Sequence, residues 1–148
     1  MIGISTRVVE VAASRELRRS VLRPAFPAGS VLPGDDQAGV VSIAGYAGES
    51  LLSACLIFPE RCWWLPEQPG WRLRSMATEP AARGTGAGTA VVRAAAAHAR
   101  DQGAEVLWCE AREGAVGFYL RNGWQLHGER FSTDYGPHRY MWIDLRAS

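Results

Sequence analysis

The sequence predicts an α/β fold in which helices pack on a central mixed, twisted sheet. Three observations carry this. The candidate elements alternate in the order β-α-β-β-β-α-β-α-β-β, which neither an all-helical nor an all-strand fold would show. The stretch Trp71 to Cys109 reads as strand, glycine-rich turn, helix and strand, a βαβ unit expected to be parallel and right-handed. The chain of 148 residues, 47% hydrophobic and 21% charged, is sized for one core, so residues 1–148 are expected to form a single domain.

Each element has a local reason. Arg7 to Val11 is rich in β-branched residues and predicts a strand. Ser14 can cap a helix running through Ser20 and beyond, with Leu17 and Val21 on one face. Arg23-Pro24 ends it, because the residue before proline avoids the helical region. Ala25 to Gln37 carries prolines, glycines and paired aspartates and reads as a long loop. Val40 to Tyr46 and Leu51 to Phe58 predict a hairpin across Ala47-Gly48-Glu49-Ser50. Pro59 to Gly70 is a second loop whose Trp63-Trp64 pair is read as covering a core edge rather than lining a cleft.

Trp71 to Thr78 is the next strand, and a helix from about Gly86 to Arg100 follows the glycines. Its alanine run lets it lie close to a sheet, and Gly103 suits a left-handed cap. Glu105 to Cys109 predicts a strand, Glu110 to Gly114 a turn, and Ala115 to Arg121 a short helix closed by Asn122-Gly123. Trp124 to Phe131 and Arg139 to Leu145 predict two strands joined by the polar connection Ser132 to His138.

Composition narrows the function classes. A net charge of +1 makes no electrostatic case for nucleic acid or an anionic membrane. All sixteen basic residues are Arg, so lysine is excluded as base, Schiff-base former or phosphate ligand. Cys55, Cys62 and Cys109 have no metal-like spacing and suggest buried thiols in a reducing compartment. No metal is expected. No stretch has the apolar length of a membrane span or leader, and a cytoplasmic location is expected by default.

The glycine turn Arg83-Gly84-Thr85-Gly86-Ala87-Gly88-Thr89 precedes a helix and exposes a run of backbone N–H groups. That is an anion site, since the first N–H groups of a helix lack partners at its positive end. A Walker A loop needs Gly-Lys-Ser/Thr, which a lysine-free chain cannot supply. A dinucleotide fingerprint should sit tight against the strand end, whereas Glu79 to Arg83 intervene and Thr89 takes the place of the last glycine.

Arg83-Gly84-Thr85-Gly86-Ala87-Gly88 resembles the Arg/Gln-x-x-Gly-x-Gly/Ala loop of the GNAT superfamily, the acetyl-CoA-dependent N-acetyltransferases. Met76-Ala77-Thr78-Glu79-Pro80 is similar to that family's strand-exit segment, and Ala115 to Trp124 to its Ala-x-x-Phe-Tyr-x-x-x-Gly-Phe segment. Two motifs in order, with one helix and one strand between them, make the resemblance specific. Gly136-Pro137-His138-x-x-Met141 and Val21-Leu22-Arg23-Pro24 further resemble the ElaA-like group of small stand-alone GNAT proteins.

The resemblance implies a GNAT fold with a mostly antiparallel sheet, and transfer of an acetyl group from acetyl-CoA to an amine in a ternary complex. It implies that Arg83, Gly84, Thr85, Gly86, Ala87, Gly88 and Thr89 bind the CoA pyrophosphate. Met76, Ala77 and Thr78 would offer backbone groups to the pantetheine arm, with an N–H near Met76 or Ala77 for the oxyanion. The Met76 strand should splay from the strand at Leu107. By resemblance Tyr119 protonates the departing thiolate, which a phenol of reference pKa about 10 can do. Glu110 ranks first as base, His138 second and Glu79 behind them. The family often carries Asn where this chain has Arg112. A non-catalytic acetyl-CoA-binding sensor or scaffold is the alternative, and a tyrosine at 119 favours the enzyme. The acceptor's pocket is expected from the loops Ala25 to Gln37, Pro59 to Gly70 and Ser132 to His138. A homodimer would be in keeping with the family.

Overall fold

The computed structural model describes residues 3–146. The elements occur in the predicted order: β1 (Ser5–Val9), α1 (Val11–Leu22), β2 (Val41–Ala47), β3 (Ser50–Pro59), β4 (Gly70–Thr78), α2 (Ala87–Asp101), β5 (Val106–Arg112), α3 (Val116–Arg121), β6 (Gln125–Thr133) and β7 (Gly136–Asp144). Single 3-10 turns, Pro80–Ala82 and Glu113–Ala115, precede α2 and α3. One seven-stranded sheet runs β1-β2-β3-β4-β5-β7-β6. Among the described residues only β4 and β5 pair in parallel, which is the βαβ unit the glycine turn announced.

The two faces of the sheet bury different helices. On one, Val91, Val92, Ala95 and Ala99 of α2 pack with Ile43, Cys55, Ile57, Leu73, Leu107, Cys109 and Met141, and Tyr119 of α3 joins the same core. On the other, Leu17 of α1 packs on Ala44 and Ala54. The small side chains of α2 matter because β2 meets it at Gly45, where a Cβ would stand 2.8 Å from Val91 Cγ2. A larger residue there would push helix from sheet and open a void across the main core.

Four boundaries differ from the sequence reading. β1 begins and ends two residues earlier, at Ser5–Val9. α1 starts at Val11, so Ser14 is not its cap. Ser14 lies inside the helix with its Oγ 2.7 Å from Ser42 Oγ and accepting from Arg18 Nε at 2.9 Å. β5 runs on to Arg112, absorbing the expected turn, because Glu110 to Arg112 find ladder partners in Tyr140 to His138 of β7. The connection Ser132 to His138 collapses to Asp134-Tyr135, since Thr133 pairs with Gly136 and His138 lies within β7.

Two long loops are held by specific contacts. The segment after α1 is anchored by Asp35, whose carboxylate accepts from Arg18 Nη1 at 2.7 Å, Arg15 Nε at 2.8 Å and the Leu32 amide at 2.9 Å. The 60–69 segment folds over the lower ends of β5 and β7, as the edge-cover reading expects. Trp64 stacks on His127 at 4.3 Å, and Trp108 Nε1 donates to the Glu60 carbonyl at 2.9 Å.

Candidate active site

The site exists because two neighbouring strands part company. β4 and β5 pair only from Gly70–Val106 to Arg72–Trp108. Beyond that point they diverge, as expected for the strand at Leu107. A β-bulge sharpens the divergence. Ala54 pairs with Ala77 and Leu56 with Arg74, so Ser75 and Met76 together oppose Cys55. Ser75 adopts φ of 57°, unusual for a non-glycine residue. The extra residue takes one backbone unit out of the ladder. It also turns Met76 onto the α2-side core that Leu73, three positions earlier, already faces.

The opened sheet leaves a cleft of about 940 Å³. Its walls come from β4, the glycine turn, β5, α3, the end of α1 and the β6–β7 turn. Among predicted site residues, Met76, Ala77, Thr78, Arg83, Gly84, Gly86, Gly88, Thr89, Glu110, Tyr119 and His138 all line it. Two do not. Thr85 turns its hydroxyl back to the Ala82 carbonyl, and the Ala87 side chain is buried in the core, so any contribution from that pair is by main chain alone. Glu79 is also absent from the walls.

The glycine turn leaves open space before the uncapped start of α2. Gly84 and Gly86 have φ of 81° and 91°, and a Cβ at either would meet nothing within 4 Å. Their left-handed backbones set the chain's path while leaving open space in front. Gly86 caps α2 without any side-chain hydrogen bond. The first helical bond is Ala90 N–H to the Gly86 carbonyl at 2.9 Å, so the amides of Ala87, Gly88 and Thr89 have no acceptor within the helix. At Gly88 a Cβ would press on Thr78 Oγ1 at 3.2 Å and Phe118 Cε1 at 3.3 Å, which is why the first turn of α2 can sit so close to β4.

Strand alternation sorts the side chains by face. Cys109 and Ala111 of β5 enter the α2-side core beside Tyr119. Glu110 and Arg112 therefore face the α1 side, opposite Tyr140 and His138 of β7. Arg72 and Arg74, flanking Leu73, share that side. Tyr119 and the two leading base candidates thus approach the gap from opposite faces of the sheet.

Tyr119 is 3% exposed, and burial holds its phenol well above its ordinary pKa, with Cys109 and Cys55 adding to the effect. It stays protonated at neutral pH. Burial also pushes the Cys109 thiol up to about 12 in spite of its hydrogen bond with Tyr119. At that value Cys109 is a poor nucleophile. Glu110 lies 3.4 Å from Arg72 Nη2. His138 is 7% exposed, and its Nδ1 sits 2.8 Å from the Gly136 carbonyl. A carbonyl can only accept, so Nδ1 is the donor, and the neutral tautomer that this contact selects has its lone pair on Nε2.

A profile for the acetyltransferase (GNAT) family matches residues 10–124. The chain belongs to the GNAT family. It is 29% identical over 147 residues to the uncharacterized N-acetyltransferase YitI of Bacillus subtilis, covering 98% of this chain and 99% of that one. The crystal structure of Escherichia coli ElaA superposes with a TM-score of 0.71 at 16% identity, covering 97% of this chain and all of that one (100%). An aminoglycoside 6'-N-acetyltransferase complexed with coenzyme A superposes at 0.73 with 13% identity, covering 97% and 98%. At such identities the two structures establish the GNAT fold and nothing narrower.

Two expectations about the acceptor side of this GNAT cleft are corrected. No residue of Ala25 to Gln37 or Pro59 to Gly70 lines it. The first loop is drawn down onto α1 by Asp35, and the second is spent covering Val106 and Trp108 with Cys62, Trp64 and Leu65. Only the third expected segment reaches the cleft, through Thr133, Asp134, Tyr135 and His138. Sequence reading missed Arg23 and Arg74 as wall residues. Nothing local marks them, because the α1 terminus and β4 meet only through the sheet order.

Proposed function

We propose that this protein is an N-acetyltransferase that moves an acetyl group from acetyl-CoA to an amine by direct attack in a ternary complex. The observation that carries the reading is the parted β4–β5 pair, with a glycine cradle at one end and acid and base candidates on opposite faces. Gly84, Gly86, Gly88 and the amides of Ala87 to Thr89 bind the pyrophosphate. Main-chain groups of Met76 to Thr78 hold the pantetheine arm as an added strand would be held. A backbone N–H released by the Ser75–Met76 bulge holds the developing oxyanion, a task that needs no particular side chain.

The proton traffic follows from the two faces. The amine enters from the α1 side, where Glu110, and behind it the Nε2 lone pair of His138, accepts the proton shed as the N–C bond forms. The C–S bond breaks toward the α2 side, where the neutral Tyr119 phenol donates its proton to the thiolate. Three free, buried cysteines are compatible with a reducing, cytoplasmic setting. Among the described residues no helix is long and apolar enough to cross a membrane. A homodimer remains part of this reading through family membership alone.

The test is thiol release from acetyl-CoA with a panel of amines, with acetylated products identified by mass. Tyr119→Phe is expected to lower kcat at saturating acetyl-CoA by about 100-fold or more while the Kd for CoA stays within about twofold. Unchanged turnover removes Tyr119 from the mechanism. CoA binding without turnover on any amine points instead to the sensor reading.

A further inference from the structure

The α1-side mouth of the cleft gathers positive charge without matching carboxylates. Arg23 Nη1 and Arg112 Nη2 both donate to the Leu22 carbonyl, at 3.1 and 3.0 Å. Two guanidinium groups from residues far apart in sequence therefore meet at one neutral oxygen. Arg23 also stacks its Cζ 3.6 Å over the Tyr135 ring, and its Nε is buried with no hydrogen-bond partner. Arg74, on the same side of β4, makes no ion pair or side-chain hydrogen bond among the described residues. The carboxylates on the cleft walls are Glu110, which lies beside Arg72, and Asp134 on the exposed turn.

A purely structural role explains one of these guanidinium groups, since a single arginine suffices to tie the end of α1 to β5. The second adds only repulsion, and Arg23, Arg74 and Arg112 all line the open cleft, where a bound anion can offset that repulsion. An arginine fork matches a carboxylate in shape and charge. The glycine cradle, at the N-terminus of α2, serves the other face of the sheet, so the donor's phosphates do not answer for this cluster.

We infer that the acceptor is an amine carrying its own carboxylate, an amino acid, with that carboxylate held by Arg23 and Arg112 and its amine beside Glu110 and His138. The inference rests on the N-acetyltransfer reading and supplies its substrate class. Register supports the placement. Arg112 is directly opposite His138 and two residues from Glu110 on one strand face, a separation of about 7 Å. An amino acid reaches across that span with one hydrogen bond at each end. Arg74 lies alongside, where its charge adds to the field that draws the carboxylate in.

The experiment compares amino acids with their decarboxylated partners as acceptors in the full-length protein: phenylalanine with phenethylamine, histidine with histamine, lysine with cadaverine. Phosphoethanolamine against ethanolamine forms a separate arm. In at least one carboxylate pair kcat/KM is expected to favour the acid by 100-fold or more. Arg23→Met, and Arg112→Met separately, should reduce that ratio at least tenfold, mainly through the KM of the acid, with the Kd for CoA unchanged. Arg74→Met provides an independent variant should either of the others fold poorly, and a several-fold fall in the same ratio is expected. Equal kcat/KM within every pair overturns the inference while leaving N-acetyltransfer standing. A larger preference for phosphoethanolamine over ethanolamine overturns it in favour of a phosphate. No acetylated product in any arm, with CoA still bound, overturns the N-acetyltransfer reading and this inference together.

Discussion

Replacing Asp35 by alanine isolates the contact that holds the long loop after α1. Arg18 and Asp35 have side chains 0% and 1% exposed and approach to 2.7 Å. Arg15, 27% exposed, joins the same carboxylate at 2.8 Å. Removing one member of a buried pair leaves the other charge uncompensated, at about 3–5 kcal/mol. Arg18 keeps two acceptors, Ser14 Oγ at 2.9 Å and the Val11 carbonyl at 3.0 Å, so the lower end applies: a loss of about 3 kcal/mol, or roughly 6–12 °C in Tm for a chain of this length. Urea unfolding followed by tryptophan fluorescence measures it. Arg15→Ala is the control and should cost under about 1 kcal/mol because its partner pair is partly solvated. The pH dependence has a definite sign. Burial alone would raise the Asp35 carboxyl, but the Leu32 amide with Arg15 and Arg18 outweighs it and leaves the pKa below its ordinary value. Its contribution is therefore complete above about pH 4–5 and is lost as pH falls through the folded value, and Asp35→Ala should flatten that acid limb. A loss below about 1 kcal/mol would refute the reasoning, since it would mean that Arg18 is solvated in the native state.

Two further outcomes bear on the site. Gly86→Ala forces a Cβ into a left-handed position at about 1–2 kcal/mol and places it in the open front of the cradle, so the Kd for CoA measured calorimetrically should rise tenfold or more. Gly103→Ala, with φ of 94° and equally open space but away from the cleft, should cost similar stability and leave CoA affinity alone; equal effects on affinity would dismiss the cradle. Burial pushes the thiols of Cys55 and Cys109 up to about 12 and that of Cys62 up to about 11. At pH 8 an aromatic disulfide reagent should label none of the three until urea unfolds the chain, and rapid native labelling of Cys109 would reopen a covalent route.

The readable parts of this protein were local ones. Gly84, Gly86 and Gly88 ahead of an alanine-rich helix mark a turn with exposed amides, because left-handed backbone and helix-end amides are properties of a few adjacent residues. Phe118-Tyr119 and its spacing to that turn pointed to the family. Boundaries failed where a distant partner decided them. Glu110 to Arg112 look like a turn until β7 offers a ladder, and Ser14 looks like a cap until Ser42 and Arg18 draw it inside.

The acceptor side shows the division most clearly. The two longest loops, with Ser132 to His138, were expected to shape it, yet Asp35 binds one to α1 and the aromatic packing of Trp64 commits the other to the sheet edge. By itself the sequence determined the element order and the glycine turn ahead of α2, since helix periodicity, turn chemistry and motif spacing are short-range. The tertiary structure alone decided that Tyr119 and Glu110 meet the gap from opposite faces. It alone brought Arg23, Arg74 and Arg112 to one mouth, because strand register and sheet order join residues that are tens of positions apart in the chain.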